Sequence, residues 1–81
     1  MRIHIKLFAG LREAAGAAEL EIELPDGATA GSVRQVVAEK FPAIVGQMRG
    51  TALAVNQAYA DPQTVLRDGD ELALLPPVSG G

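Results

Sequence analysis

Two short stretches constrain this chain more than anything else in it. Residues 2–7 read "RIHIKL" and residues 19–24 read "ELEIEL". In both, apolar and charged residues alternate without a break. Successive side chains of a strand point to opposite faces, so this period of two predicts two strands, each with one buried face. Ile3, Ile5 and Leu7 fall inward on the first, and Leu20, Ile22 and Leu24 on the second. The outward sets are opposite in sign: Arg2, His4 and Lys6 on one strand, Glu19, Glu21 and Glu23 on the other. An antiparallel hairpin sets Arg2 against Glu23, His4 against Glu21 and Lys6 against Glu19. Such cross-strand pairs contribute about 0.2–1 kcal/mol each. The single histidine therefore reads as a member of a solvated charge ladder, neither catalyst nor ligand.

Further along, "AGLREAAGAA" reads as a small-residue connection with room for one helical turn, and "PDG" as a turn. Thr29 is placed to cap a helix. Val33, Val36, Val37, the stem of Lys40, Phe41 and Ile44 follow helical spacing. Pro42 should end that helix, because the residue before a proline disfavours the α region. "AIVGQM" predicts a second, shorter helical stretch. "TALAV" is a third strand with Leu53 and Val55 inward, and "NQ" a tight turn. Tyr59 and Ala60 form a short edge strand, Asp61-Pro62 opens one helical turn, and "RDGD" leads into the last strand, "ELALL". The pattern is α+β, with one sheet and one main helix.

Composition closes off several function classes. At 81 residues, 48% hydrophobic and 21% charged, the chain is one small ordered domain. No run reaches the roughly 20 apolar residues of a membrane span. The alternating start is not the pattern of a signal peptide, which gives a cytoplasmic reading and no membrane partner. With no cysteine there is no disulfide, thiolate metal site or thiol nucleophile. A net charge of −3 without a Lys/Arg cluster argues against a nucleic-acid partner. Asp68, Asp70 and Glu71 lack the spacing of a calcium loop and read as turn residues. No GxxxxGK[ST] phosphate loop is present, and no serine has a base nearby in the pattern. So small a domain has little room for a drug-sized pocket, so a partner must supply most of any reactive site.

The last six residues, "PPVSGG", contrast with all of this. They divide the chain into a folded domain over 1–75 and a flexible, extended tail over 76–81. Pro76 and Pro77 fix φ and favour a stiff extended path, which loses less entropy when a partner immobilises it. Val78 offers an apolar anchor and Ser79 is small. Gly80 and Gly81 lack Cβ and can thread a channel too narrow for other residues. Fully extended, six residues reach at most about 20 Å.

The segments "KLFAGLREAAG", "VNQ" and "LRDGDELALLPPVSGG", at this length, resemble the small subunit of molybdopterin synthase, the MoaD family of sulfur carriers. The resemblance covers essentially the whole chain. One departure is Leu75, where the family often has an aromatic before Pro-Pro. The resemblance implies a β-grasp, ubiquitin-like fold: a mixed sheet covered by one main helix, with the final strand returning to the middle. It also implies that an adenylyltransferase similar to ubiquitin activators uses ATP to adenylate the Gly81 carboxylate, the carrier itself binding no cofactor. Sulfur from a donor then gives a thiocarboxylate. The tail, positioned by Pro76, Pro77, Val78 and Ser79 and threaded by Gly80, enters the large subunit and gives its sulfur to a cyclic pyranopterin. The implied assembly is a heterotetramer of two small and two large subunits, in which this chain is a non-catalytic donor. Rival readings are a thiazole-synthesis sulfur carrier, a ubiquitin-like protein modifier and an inert adaptor. Phe8, Ala73 and Leu75 fall out of phase with the inward sets, so an outward apolar patch near the tail is expected to be the partner interface.

Overall fold

The computed structural model describes residues 1–48 and 50–76. In chain order the elements are β1 (Arg2–Leu7), α1 (Ala9–Ala15), β2 (Glu19–Glu23), α2 (Ala30–Lys40), a 3₁₀ helix (Pro42–Gln47), β3 (Ala52–Val55), β4 (Ala58–Tyr59) and β5 (Glu71–Leu75). The five strands form one sheet in the order β2-β1-β5-β3-β4. β5 lies in the middle, parallel to β1 and antiparallel to β3. This is the mixed β-grasp sheet expected from the resemblance.

The hairpin register is the one set by the alternating charges: Arg2 faces Glu23, His4 faces Glu21 and Lys6 faces Glu19. A slip of one residue would turn Ile3, Ile5 and Leu7 to solvent, so burial fixes the register. Those three join Leu11, Ile22, Leu24, Val33, Val37, Ile44, Leu53, Leu66, Leu72 and Leu74 in one core between the sheet and the helices. Fully burying such a side chain is worth about 1.5–3 kcal/mol, so this face holds the domain together.

α2 buries Ala30, Val33 and Val37, one helical stripe. Pro42 stops it as expected: the helix ends at Lys40, and Pro42 opens the 3₁₀ helix. Lys40 is exposed and does not join the stripe. Thr29 stands at the N-cap in an extended conformation, but its side chain makes no capping bond. Backbone carbonyls cap the helix instead. Ala30 N–H donates to Thr64 O at 2.8 Å and Gly31 N–H to Pro62 O at 2.7 Å. Gly31 permits this approach, since a Cβ there would lie 2.9 Å from Pro62 Cβ.

That contact also corrects the expected helical turn at Asp61-Pro62. With the Pro62 carbonyl turned toward α2, the segment is a β-turn. Gln63 N–H donates to Asp61 Oδ1 at 2.8 Å and Thr64 N–H to Asp61 O at 2.9 Å. Two further expectations need correction. The "AGLREAA" stretch is a seven-residue helix rather than one turn, because Leu11 is buried beneath it and Gly16 closes it in the left-handed region at φ 73°. The edge strand is Ala58–Tyr59 rather than Tyr59–Ala60. The two-residue turn Asn56-Gln57, with φ of 50° and 72°, is tight enough to start pairing at Ala58.

Candidate functional site

β1 and β5 run parallel, so the sheet has two distinct ends. At one lie Met1, Arg2, Asp68 and Gly69. Phe8 and Leu75 mark the other, where the chain passes to the half-buried Pro76. The tail residues Pro77, Val78, Ser79, Gly80 and Gly81 lie outside the described residues.

Next to this exit, the outer face of the sheet carries an open hollow of about 390 Å³, lined by Lys6, Phe8, Ala54, Gln57, Tyr59, Glu71, Ala73 and Leu75. Phe8, Ala73 and Leu75, singled out from the sequence, come together here. The register explains the hollow's shape. Lys6 pairs with Ala73, Ala73 with Ala54, and Ala54 with Tyr59. Paired residues of neighbouring strands share a face, so these four form a row across the sheet. Two alanines thus lie between two long side chains. Phe8 is 42% exposed and Tyr59 81%, and both are large and apolar.

Local backbone geometry aims both aromatics. Phe8 precedes Ala9, whose φ of 49° is left-handed. The chain therefore turns sharply from β1 into α1, and the Phe8 carbonyl accepts from Leu11 N–H at 3.1 Å. Tyr59 follows the left-handed pair Asn56 and Gln57. Asn56 is tied to the start of β5: its Oδ1 accepts from Glu71 N–H and its Nδ2 donates to Asp70 Oδ1, each at 3.0 Å. Asn tolerates the left-handed region, but Ala and Gln do so at a cost of roughly 1–2 kcal/mol. Ala9, Asn56 and Gln57 are the non-glycine residues with positive φ among those described, and all three border this hollow or abut a residue that does.

A larger open hollow, about 500 Å³, lies at the opposite end over Met1, Arg2, His4, Glu21, Glu23, Asp68 and Gly69. Its groups satisfy one another. Arg2 reaches Glu21 and Glu23 at 3.8 and 3.7 Å, and Arg2 N–H donates to Asp68 Oδ1 at 2.7 Å. It is distant from the tail's exit, and its polar groups leave little for a ligand. His4 Nε2 lies 2.8 Å from Glu19 Oε1. The hydrogen bond to His4, helped by the charge of its ring, holds the Glu19 carboxyl below its ordinary range. Lys6 bonds Glu71 at 3.2 Å, not the cross-strand Glu19. Among the described residues, no three His, Cys, Asp or Glu side chains are grouped to hold a metal, and no helix is long and apolar enough to cross a membrane.

Sequence reasoning missed Tyr59, Ala54 and Gln57 at this site. The signal was present: a two-residue turn at Asn56-Gln57 forces Tyr59 opposite Ala54, on the face shared with Ala73.

Comparison with known proteins agrees with this architecture. The chain is 41% identical over 83 residues to the molybdopterin synthase sulfur carrier subunit of Chlamydomonas reinhardtii, covering 100% of both. It is 33% identical to the subunit of the same name in Arabidopsis thaliana, covering 100% of this chain and 84% of that one. The crystal structure of H. volcanii small archaeal modifier protein 1 superposes with a TM-score of 0.87 at 28% identity, over 95% of this chain and 98% of that one. The profile of the ThiS family matches residues 5–81, and the chain belongs to that family.

Proposed function

We propose that this chain is the sulfur carrier subunit of molybdopterin synthase, and that the carboxyl group of Gly81 carries the sulfur. The observation that bears most weight is the apolar hollow at the end of the sheet from which β5 delivers the chain to Pro76. The relatives named as sulfur carrier subunits support the same reading. The chain has no cysteine on which to carry a persulfide. A free carboxylate is a poor electrophile and must first be activated. An adenylyltransferase similar to ubiquitin activators joins the Gly81 carboxylate to the α-phosphate of ATP and releases pyrophosphate. A sulfur nucleophile then displaces AMP, leaving a thiocarboxylate. The tail over 76–81, with Gly80 threading and Pro76, Pro77, Val78 and Ser79 positioning, presents that sulfur to a cyclic pyranopterin in the large subunit. Phe8, Ala73 and Leu75, with Tyr59, form the interface. The assembly is two small and two large subunits, working in the cytoplasm.

A ubiquitin-like protein modifier is the second reading, favoured by the likeness to the archaeal modifier protein. It needs the same activated carboxyl group but ends in an isopeptide bond to a lysine. One experiment separates the two. The chain is incubated with the activating enzyme, ATP and a sulfur donor, and the C-terminal peptide is weighed before and after adding the large subunit. Expected are one oxygen exchanged for sulfur, then loss of that sulfur to the pterin. Deleting Gly81, or adding one alanine after it, moves the carboxylate by roughly 3 Å. Misplacement of a reacting group by even 1 Å can cost about a hundredfold, so both variants should fail to be thiolated. Equal thiolation of the extended variant, or sulfur mapped elsewhere, overturns the carrier reading. Conjugates on lysines of many proteins would favour the modifier.

A further inference from the structure

We infer that Arg34 is a positioning residue for the reaction at Gly81: by clasping Thr51 it fixes the strand end from which the reactive tail departs. The inference rests on the proposed carrier function and adds to it a residue on the helix side of the sheet.

Thr51 is the first ground. Among the described residues it is the one buried polar side chain, 3% exposed. The guanidinium of half-buried Arg34 closes on it with two donors. Nε donates to Thr51 Oγ1 at 3.0 Å, and Nη2 donates to the Thr51 carbonyl. The hydroxyl in turn donates to Met48 O at 2.9 Å.

The sheet explains why a guanidinium is needed there. Along an edge-paired strand, successive residues turn their backbone groups to opposite neighbours. Leu53 O accepts from Ala60 N–H at 2.9 Å, so Leu53, and Thr51 two residues before it, turn their carbonyls toward β4. The β3–β4 register, continued past Ala54–Tyr59, sets Thr51 opposite Pro62. Proline has no N–H to give, and the Pro62 carbonyl already accepts from Gly31 N–H at 2.7 Å. Arg34 supplies the donor that the ladder lacks at this point.

The consequence falls on the root of the tail. β1 pairs with β5 only as far as Leu7–Leu74. Leu75, from which the tail departs, is paired with Ala52 of β3. The bond from Asn56 N–H to Glu71 O marks one hydrogen-bonded pair of the β3–β5 ladder, and alternation makes Ala52–Leu75 another, the last before Pro76. Ala52 is itself the first residue of β3, and Gly50, just upstream, has a left-handed φ of 77°. The clasp on Thr51 keeps Ala52 from fraying, and Ala52 keeps Leu75 in the sheet. Releasing one residue would lengthen the tail by roughly 3 Å and add that residue's backbone freedom to what a partner must order. Transfer depends on where the carboxyl group is held, so Arg34 bears on it without touching a reacting atom.

Arg34→Met keeps a long stem and removes both donors. Sulfur transfer from the thiocarboxylated full chain to the pterin is measured with the large subunit, at a temperature where every variant is folded. The expected result is a fall in kcat of about fivefold, the scale of ordering one more backbone residue, with KM for the carrier within about twofold of wild type. Amide hydrogen exchange at Ala52 and Leu75 should quicken about tenfold, with Ile3 and Ile22 unchanged. Arg34→Lys, which can still donate to the Thr51 carbonyl, should recover part of the loss. Thr51→Val takes the place of Arg34→Met if the latter fails to fold. Ile22→Val, a core change on β2, controls for lost stability alone and should transfer sulfur as wild type does. A wild-type kcat in Arg34→Met, an equal fall in Ile22→Val, or exchange quickened uniformly over the sheet overturns the positioning role. A raised KM with kcat unchanged also overturns it, and makes Arg34 a docking residue. The carrier reading fails by a different measurement: wild type that never acquires sulfur at Gly81, or never passes it to the pterin, removes that reading and the positioning role together.

Discussion

The outer face of the sheet has two halves that share one backbone and differ in what they leave open. Over β2 and β1 stand Arg2, His4, Glu19, Glu21 and Glu23, and each is within ion-pair distance of another. Over β5, β3 and β4 stand Ala73, Leu75, Ala54 and Tyr59, with Phe8 beside them and, among the described residues, no helix above. The charged half is closed on itself, and it also guards an edge strand, where exposed backbone invites pairing with another chain. The apolar half has been left unfinished. Lys6 marks the boundary, since its ammonium turns away from the ladder to Glu71 on β5. On the proposed reading the open half is the interface, marked by what the chain leaves unsatisfied as well as by what it exposes.

The strongest way to break the contrast is to charge the apolar half. Leu75→Asp puts a carboxylate where, on the proposed reading, the partner excludes water. Leu75 is only half-buried and absent from the core cluster, so folding should be nearly unchanged. Binding to the large subunit should fall by about a hundredfold, the scale of a lost interface anchor with a charge buried in its place. Equal losses of melting temperature and affinity would make Leu75 a fold residue and remove this half from the interface.

A second break is indirect. Asn56 touches no proposed partner, but it holds the turn that carries Tyr59. Asn56→Ala removes its two side-chain hydrogen bonds to β5 and its neighbour, and puts alanine in a left-handed conformation. The expected cost is about 1–3 kcal/mol by urea unfolding. Asn56→Gly removes the same bonds without the backbone penalty and should cost less. If the glycine variant is the less stable, the conformational part of this account is wrong.

How much of this was legible in the sequence follows from the same contrast. The closed half was readable nearly residue by residue. Strict alternation with opposite signs on two segments has one good antiparallel register, and the structure has it. The stop at Pro42 was legible because proline acts on its immediate neighbours. The open half was readable only in part. Phe8, Ala73 and Leu75 could be picked out by phase, but Tyr59 joins them through pairing across a two-residue turn, and Ala54 through burial beneath taller neighbours. The partner of Lys6 was missed for a like reason: Glu71 lies 65 positions away along the chain and becomes a neighbour only when β5 enters the middle of the sheet. The length of α1 was hidden because the single buried residue Leu11 gives no periodicity to read.

A milder change tests whether the charged half is as inert as its closure suggests. Arg2→Gln with His4→Gln removes two members of the ladder and leaves Lys6, which borders the hollow, in place. Exposed ion pairs contribute about 0–1 kcal/mol each, so stability should drop by no more than that per pair. Affinity for the large subunit and sulfur transfer should stay within twofold of wild type. A collapse of transfer at normal stability would show that a partner reads the ladder.

The smallest expected effect concerns acid. The Glu19 carboxyl is held below its ordinary range by the hydrogen bond and charge of His4. A carboxyl whose folded pKa is depressed adds stability that is present above its unfolded pKa and is lost as pH falls through the folded value. The unfolded value is near 4.5, so the loss belongs to the acid side of that pH. Above it, Glu19 stays ionised in both states. Glu19→Gln should therefore lower the melting temperature slightly at neutral pH, and the difference from wild type should shrink as pH drops below 4.5. Because the carboxyl is exposed, added salt should shrink it as well. The apolar half carries no matching sensitivity, so affinity for the large subunit should not follow this titration. A melting-temperature difference that grows toward low pH would mean that the ionised Glu19 is not stabilised by His4, and the ladder would be closed by geometry without any electrostatic gain.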